Sequence, residues 1–270
     1  MSAAAPTALI TGASAGIGAI YADRLARRGW NLILAARSGE RLSEVAARIQ
    51  RDSVSVETIV ADLGSHSGQR QLAERLLADP SITMLVNNAG FGSTAPLLDS
   101  DPDVMAQMIE LNVGAVARLA NAAAKAFASR GEGTIINMAS IAAVAPRILN
   151  GVYGGTKAFV LALSQSLHRE LAPKGVRVQV VLPGATATDF WAVSGTSVDA
   201  LPQEIVMSPE AVVDAALAGL DLGELVTLPS LPEVSDWQAF DEAREALLPN
   251  LSRVTPAARY RLAEANEPGR

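Results

Sequence analysis

No cysteine occurs among the 270 residues, so disulfides, thiolate catalysis and cysteine-ligated zinc are excluded. Histidine is almost absent as well: His66 and His168 are the only two, and neither stands at a metal-ligand spacing, so no metal site is expected. Aromatic residues make up only 4% of the chain, and small aliphatic side chains must therefore fill the core. No uninterrupted apolar run reaches about 18 residues, and no membrane span is expected. The opening Met1-Ser2-Ala3-Ala4-Ala5-Pro6 lacks the basic region and long apolar stretch of a signal peptide, which makes the cytoplasm the expected location. An excess of basic residues is missing too. The formal charge of −6 argues against non-specific nucleic-acid binding.

What is present is an alternation. Short aliphatic runs lie at Ala8–Thr11, Leu32–Ala35, Val54–Val60, Met84–Val86, Thr134–Asn137, Val176–Leu182 and Leu225–Leu228. Helical patterns fill the gaps, at Ala19–Arg28, Glu40–Arg51, Ser67–Ala78, Val104–Arg130, Thr156–Leu171 and Pro209–Leu220. Runs that are continuously apolar imply strands buried on both faces, and strand–helix alternation then gives a parallel sheet between two helix layers. No linker interrupts the chain, so residues 1–270 are read as one α/β domain. After Pro229, Trp237–Leu248 and Pro256–Ala265 read as extra C-terminal helices, with Thr255 as an N-cap.

The first strand runs into Thr11-Gly12-Ala13-Ser14-Ala15-Gly16-Ile17-Gly18, and a helix follows at once. Glycines there let the backbone turn tightly and leave free N–H groups at a helix start for a pyrophosphate. The spacing is not that of the Gly-x-Gly-x-x-Gly fingerprint, and no Lys-Ser/Thr closes it as in a Walker A loop. Taken alone, the glycines are equally a tight turn with no ligand. The tip of the second strand, Leu34-Ala35-Ala36-Arg37-Ser38, has no carboxylate for a ribose 2′-hydroxyl. Arg37 can instead fork onto a 2′-phosphate and stack on adenine, with Ser38 adding a hydrogen bond, so NADP is favoured over NAD. The plainer alternative is a solvated surface arginine.

Tyr153 and Lys157 stand four residues apart, thirteen residues after Ser140. Positions i and i+4 share a helix face, so phenol and ammonium can enter one cleft. A phenol exchanges no proton readily at neutral pH unless a cation stabilises its phenolate, and Lys157 is placed to do that. Ser140 offers a hydroxyl to hold a carbonyl oxygen beside the phenol. Each residue alone also has a structural reading: a capping serine, a half-buried aromatic, a surface charge.

Together, the glycine turn, Arg37, Ser140 and the Tyr153/Lys157 pair resemble the short-chain dehydrogenase/reductase family. Matching motifs run from Thr11 to Thr188. The resemblance places Asp62-Leu63 against adenine and Asn87-Asn88-Ala89-Gly90 beside the adenine ribose. It assigns Asn112 to the catalytic tetrad with Ser140, Tyr153 and Lys157. Pro183-Gly184-Ala185-Thr186-Ala187-Thr188 looks like the segment that holds the nicotinamide carboxamide. Cofactor contacts are thus expected from Gly12, Ser14, Ala15, Gly16, Ile17 and Gly18 in the turn and from Arg37, Ser38, Asp62 and Leu63. Further contacts are expected from Asn88, Ala89, Gly90, Tyr153, Lys157, Pro183, Gly184, Thr186 and Thr188. The implied fold is a Rossmann-type sheet of seven parallel strands in the order 3-2-1-4-5-6-7. The implied chemistry is hydride transfer between NADP and a carbonyl/alcohol pair, with Tyr153 as acid/base and Lys157 lowering its pKa. Ser140 would orient the substrate oxygen, and Asn112 would hold a water on the proton route from Lys157.

Substrate walls are expected from Ile141–Leu149, from Phe91-Gly92 and from a lid at about 189–207 carrying Phe190, Trp191, Val193 and Leu201. Arg147 is the one obvious cation in these segments, so a small apolar ketone, aldehyde or secondary alcohol is favoured over a polyanion. Apolar surface on helices at about 104–130 and 156–172 points to a homodimer or homotetramer, as in the resembling family. An epimerase or dehydratase, or a non-catalytic NADP-binding sensor, remains the alternative on the same fold.

Overall fold

The structure is a computed structural model that describes residues 5–50 and 53–260. Seven parallel strands form one sheet in the order β3-β2-β1-β4-β5-β6-β7. They are β1 (Thr7–Thr11), β2 (Asn31–Ala36), β3 (Val56–Val60), β4 (Ile82–Asn87), β5 (Gly133–Met138), β6 (Val176–Val181) and β7 (Val226–Thr227). The helices of this unit are α1 (Gly16–Arg27), α2 (Gly39–Ile49), α3 (His66–Ala78), α4 (Pro102–Ile109), α5 (Val116–Arg130), α6 (Gly151–Leu171), α7 (Phe190–Ser194) and α8 (Pro209–Leu222). The sheet and these helices make a Rossmann-type domain ending at Ser230. No described helix is long and apolar enough to cross a membrane.

Alternation within each strand explains the two layers. Along β1, Ala8 and Ile10 enter a core with α1, α2 and α8, while Leu9 enters the opposite core with α3 and α5. Leu32 and Leu34 of β2 divide from Ile33 in the same way. The edge strand β3 is largely exposed, whereas β7 at the other edge is buried.

Two helices depart most from the expected bounds. α6 begins at Gly151 rather than Thr156, because Asn150 caps it: its Oδ1 accepts from Val152 N at 2.8 Å and from Tyr153 N at 3.4 Å. The single helix expected over Val104–Arg130 is α4 and α5 joined through a π-helical turn, Glu110–Ala115, which contains Asn112. Such turns insert one residue into a helix and re-aim side chains.

A buried polar chain ties α6 to the sheet. Asn87 donates to Asn137 Oδ1 at 2.9 Å, Asn137 donates to Ser164 at 2.9 Å, and Ser164 donates to Val160 O at 2.7 Å. A fully satisfied buried network of this kind specifies one placement of the helix it holds.

Residues from Leu231 form a second compact unit. It contains α9 (Val234–Glu245), where Trp237 and Phe240 pack with ring centroids 5.3 Å apart and Arg244 pairs with Asp241 at 2.7 Å. A short 3-10 turn follows at Leu248–Asn250. Of the helix expected at Pro256–Ala265, the described residues show a 3-10 turn at Ala258–Tyr260, and 261–265 lie outside them.

Candidate active site

One cleft of about 1290 Å³ opens at the carboxyl ends of the strands, where open α/β sheets bind ligands. Its floor at one end is the turn after β1. Gly12 and Gly16 adopt φ of +65° and +51°, which L side chains rarely take. A Cβ on Gly12 would also lie 2.9 Å from Ala89 Cα. The helix that starts here has Ala15 as its N-cap with no side-chain cap bond, leaving its first N–H groups unclaimed by side chains. Thr11 Oγ1 accepts from Asn88 N at 3.0 Å and Ala89 N at 3.1 Å, so the turn and the β4 loop are held as one surface.

Arg37 and Ser38 line the far end of the cleft, as expected, and Arg41 joins them. Ser38 caps α2 by accepting from Arg41 N at 3.4 Å, which leaves its hydroxyl proton free to point elsewhere. Arg41 was not anticipated from the sequence. The signal that finds it is its spacing, four residues after Arg37 and in the first turn of a capped helix. Asp62 and Leu63 line the adjoining wall. Asp62 Oδ1 accepts from Gly64 N at 3.0 Å and closes a local turn, while Gln69 holds Leu63 O at 2.9 Å.

Of the site residues expected from the sequence, all but Gly18 and Asn112 line this cleft. Gly18 lies behind the turn, where a Cβ would collide with Gly12 O and meet Asn88 Nδ2 at 2.5 Å. Asn112 is 1% exposed, and its amide is spent on protein: Oδ1 accepts from Phe91 N at 3.1 Å, and Nδ2 donates to Phe91 O at 2.8 Å and Thr156 Oγ1 at 3.1 Å. Its side chain therefore fixes the Gly90–Phe91 loop.

Ser140, Tyr153 and Lys157 come together at the centre. Ser140 caps the short turn Ile141–Ala143 by accepting from Ala142 N at 3.1 Å, and its hydroxyl is close enough to the Tyr153 phenol to lower the phenol's pKa. Lys157 Nζ donates to Met138 O at 2.9 Å and lies 5.7 Å from the centroid of the Tyr153 ring. Both are nearly fully buried. Burial pushes the Tyr153 phenol up to about 12, with the Ser140 hydrogen bond opposing it. Burial pulls the Lys157 ammonium down to about 8. Loss of water is thus the largest influence on both groups, and the net shift of the phenol is upward.

Beyond Tyr153 the cleft becomes apolar, with Phe91, Ile148, Leu149, Phe190, Trp191, Val193, Leu201, Ile205 and Met207 along it. Phe190 packs on Tyr153 with centroids 5.6 Å apart and on Trp191 edge-on at 5.5 Å. Gly92 makes room for that ring, since a Cβ there would sit 2.5 Å from Phe190 Cζ. Arg147 does not line the cleft. The segment expected as a lid contains α7 and two 3-10 turns, Val198–Ala200 and Gln203–Ile205. It is tied at Ser194 and at Met207. Met207 N donates to Ala185 O at 2.9 Å, and Ser194 O accepts from Thr94 N at 3.0 Å and Thr94 Oγ1 at 2.8 Å. Asn150 then links Thr94's loop to the helix that carries Tyr153 and Lys157, donating to Ala95 O at 2.7 Å and Ser100 Oγ at 3.0 Å. Sequence reasoning missed Asn150, although an asparagine just before a helical run is a cap signal.

Comparison with known proteins agrees with this geometry. A family profile described as short chain dehydrogenase matches residues 6–198. A short-chain dehydrogenase from Sphingobium yanoikuyae, solved in complex with NADPH, is 45% identical over 95% of this chain and all of its own, with a TM-score of 0.92. A bulky-bulky ketone specific alcohol dehydrogenase from Comamonas testosteroni is 42% identical over 95% of this chain and 99% of its own, with a TM-score of 0.87. A very-long-chain 3-oxoacyl-CoA reductase of Anas platyrhynchos is 34% identical over 80% of this chain and 69% of its own. A seven-strand sheet in this order, carrying Ser140, Tyr153 and Lys157 over a glycine-lined cleft, agrees with those matches, and the chain belongs to the short-chain dehydrogenase/reductase family of oxidoreductases.

Proposed function

We propose that the protein is an NADP(H)-dependent oxidoreductase that interconverts apolar ketones and secondary alcohols. The observation that carries the reading is a single continuous cleft with three stations. Arg37, Ser38 and Arg41 lie at one end, Ser140, Tyr153 and Lys157 at the centre, and an apolar chamber at the other end.

The residues present fit the cofactor. The open helix start at Gly16 suits a pyrophosphate, and the two left-handed glycines let the backbone come close to it. Two guanidiniums and the Ser38 hydroxyl suit a 2′-phosphate, and no carboxylate competes at the tip of β2. When bound, NADPH supplies the hydride. In the reductive direction, Ser140 and Tyr153 hydrogen-bond the substrate oxygen, and Tyr153 delivers its proton as negative charge grows there. A phenol held at about 12 is protonated at neutral pH, which is the form that reduction uses. Lys157 stays mostly cationic at neutral pH and keeps positive charge beside the phenolate that results. Asn112, through the Phe91 loop, acts as a positioning residue.

The relatives are named as reductases and dehydrogenases, which supports this reading over an epimerase or a sensor. The test is oxidation of NADPH against a panel of ketones, with NADH in parallel. Turnover with NADPH and weak turnover with NADH are expected. Arg37→Ala and Arg41→Ala should each raise the Kd for NADPH about tenfold or more and leave NADH nearly unaffected, because each loses charge-assisted hydrogen bonds to a phosphate. Equal losses for both cofactors would remove the argument for NADP.

A further inference from the structure

We infer that the substrate chamber selects uncharged carbonyl compounds and discriminates against carbonyls carried on coenzyme A or another polyanion. The inference rests on the ketone/alcohol reading above and names the substrate class of that same site. Its basis is the distribution of charge along the cleft. Every cation that lines it serves the other two stations: Arg37 and Arg41 at the far end, and Lys157 at the centre. The substrate half contributes no cation to the lining, but it does contribute two carboxylates, Asp189 and Glu204, both exposed.

The segments around it carry charge of the same sign. The segments that supply this half, residues 91–103, 139–151 and 185–207, carry Asp99, Asp101, Asp103, Asp189, Asp199 and Glu204 against the single guanidinium of Arg147. Arg147 does not reach the cleft. A coenzyme A thioester places its reacting carbonyl at the end of a long arm whose phosphates remain at the mouth. There they would meet Asp189 and Glu204, with no lysine or arginine among the described residues lining this half to receive them. Like charges at a low-dielectric mouth repel an approaching ligand and slow its association, an effect that salt weakens. An uncharged ketone meets no such barrier, and its two substituents can lie along the apolar walls formed by Phe91, Leu149, Phe190, Leu201 and Ile205. The reductase name of the curated relatives, which specifies a coenzyme A ester, therefore does not transfer to this chain.

A matched pair of substrates separates charge from chemistry: one 3-oxoacyl group carried on N-acetylcysteamine and on coenzyme A, with a bulky neutral ketone as reference. With NADPH at low ionic strength, kcat/KM for the N-acetylcysteamine thioester should exceed that for the coenzyme A thioester by about tenfold or more. Added salt should narrow the gap by accelerating only the charged substrate. Glu204→Lys should raise the ratio of coenzyme A to N-acetylcysteamine activity. Equal or better reduction of the coenzyme A thioester, or a ratio insensitive to both salt and Glu204→Lys, overturns the inference and leaves the ketone/alcohol reading standing. Failure to reduce any of the three carbonyls while NADPH still binds overturns that reading, and the inference with it.

Discussion

Tyr153 and Lys157 are displaced in opposite directions by one cause, removal from water, and this has a measurable consequence for stability. Lys157 holds its proton up to about its ordinary 10.5 in the unfolded chain but releases it near 8 in the fold. Between those values the unfolded chain binds more protons, so stability rises with pH, and below about 8 the full cost of the buried ammonium is present. Tyr153 works in the other sense above its ordinary 10: the unfolded phenol ionises first, and stability falls as pH rises toward about 12. Lys157→Met should therefore be more stable than the parent at pH 7, by on the order of 3 kcal/mol, with the difference shrinking as pH approaches 10. Urea unfolding of both proteins across that range checks it, and a difference independent of pH would contradict the assigned burial. At this scale the sequence was informative about identity and less so about energetics. The spacing of Ser140, Tyr153 and Lys157 was enough to bring them to one cleft, but how far each is desolvated depends on packing from β5, α6 and α7, which no local pattern encodes. Arg41 was missed for a related reason: its place in the cleft appears only once Ser38 is seen to start α2 there.

Among the elements, α7 and the start of α6 are joined by a chain of hydrogen bonds. Ser194 O is held by Thr94, and Asn150 joins the following Ala95 to the first turn of the helix that carries Tyr153. Asn150→Asp keeps the capping acceptor and adds a charge that suits a helix start, but it replaces the donor that faces Ala95 O with an acceptor. The expected result is a KM for ketone raised about tenfold, with little change in thermal stability or in the Kd for NADPH. Asn150→Ala should lose about 1 kcal/mol of stability as well, through loss of the cap. A double-mutant cycle with Thr94→Val should be non-additive. Unchanged KM in Asn150→Asp would show that the link does not transmit position. The strands were legible because their apolar runs are continuous, and the wall of α1 because it follows a glycine turn. The π-helical turn at Glu110–Ala115 was not, since apolar periodicity continues across it and only the tertiary bonds of Asn112 to Phe91 and Thr156 reveal the inserted residue. The segment expected as a lid is held at Ser194 by Thr94 and at Met207 by Ala185.

For the whole molecule, the cleft follows from topology: β1 and β4 diverge to opposite sides, so their loops open a crevice that the glycine turn and Asn88–Gly90 line. The outer face of α6 carries Gly155, Ala158, Phe159 and Ala162, of which Phe159 is 38% exposed. Exposed Ile109 on α4 is a further apolar residue outside the domain core. A homo-oligomer, as expected from the sequence, would cover these residues. Phe159→Glu should shift the protein toward the monomer in light scattering while preserving the fold by circular dichroism. A parent protein that is already monomeric would refute the assembly.

The chemistry itself is tested most directly by replacing one oxygen atom. Stopped-flow oxidation of NADPH by a bulky ketone should be slowed at least about a thousandfold in Tyr153→Phe, with the Kd for NADPH within about twofold of the parent. Hydride transfer at near-parental rates in that variant would contradict the account, because the proton would then come from somewhere other than the phenol between Ser140 and Lys157.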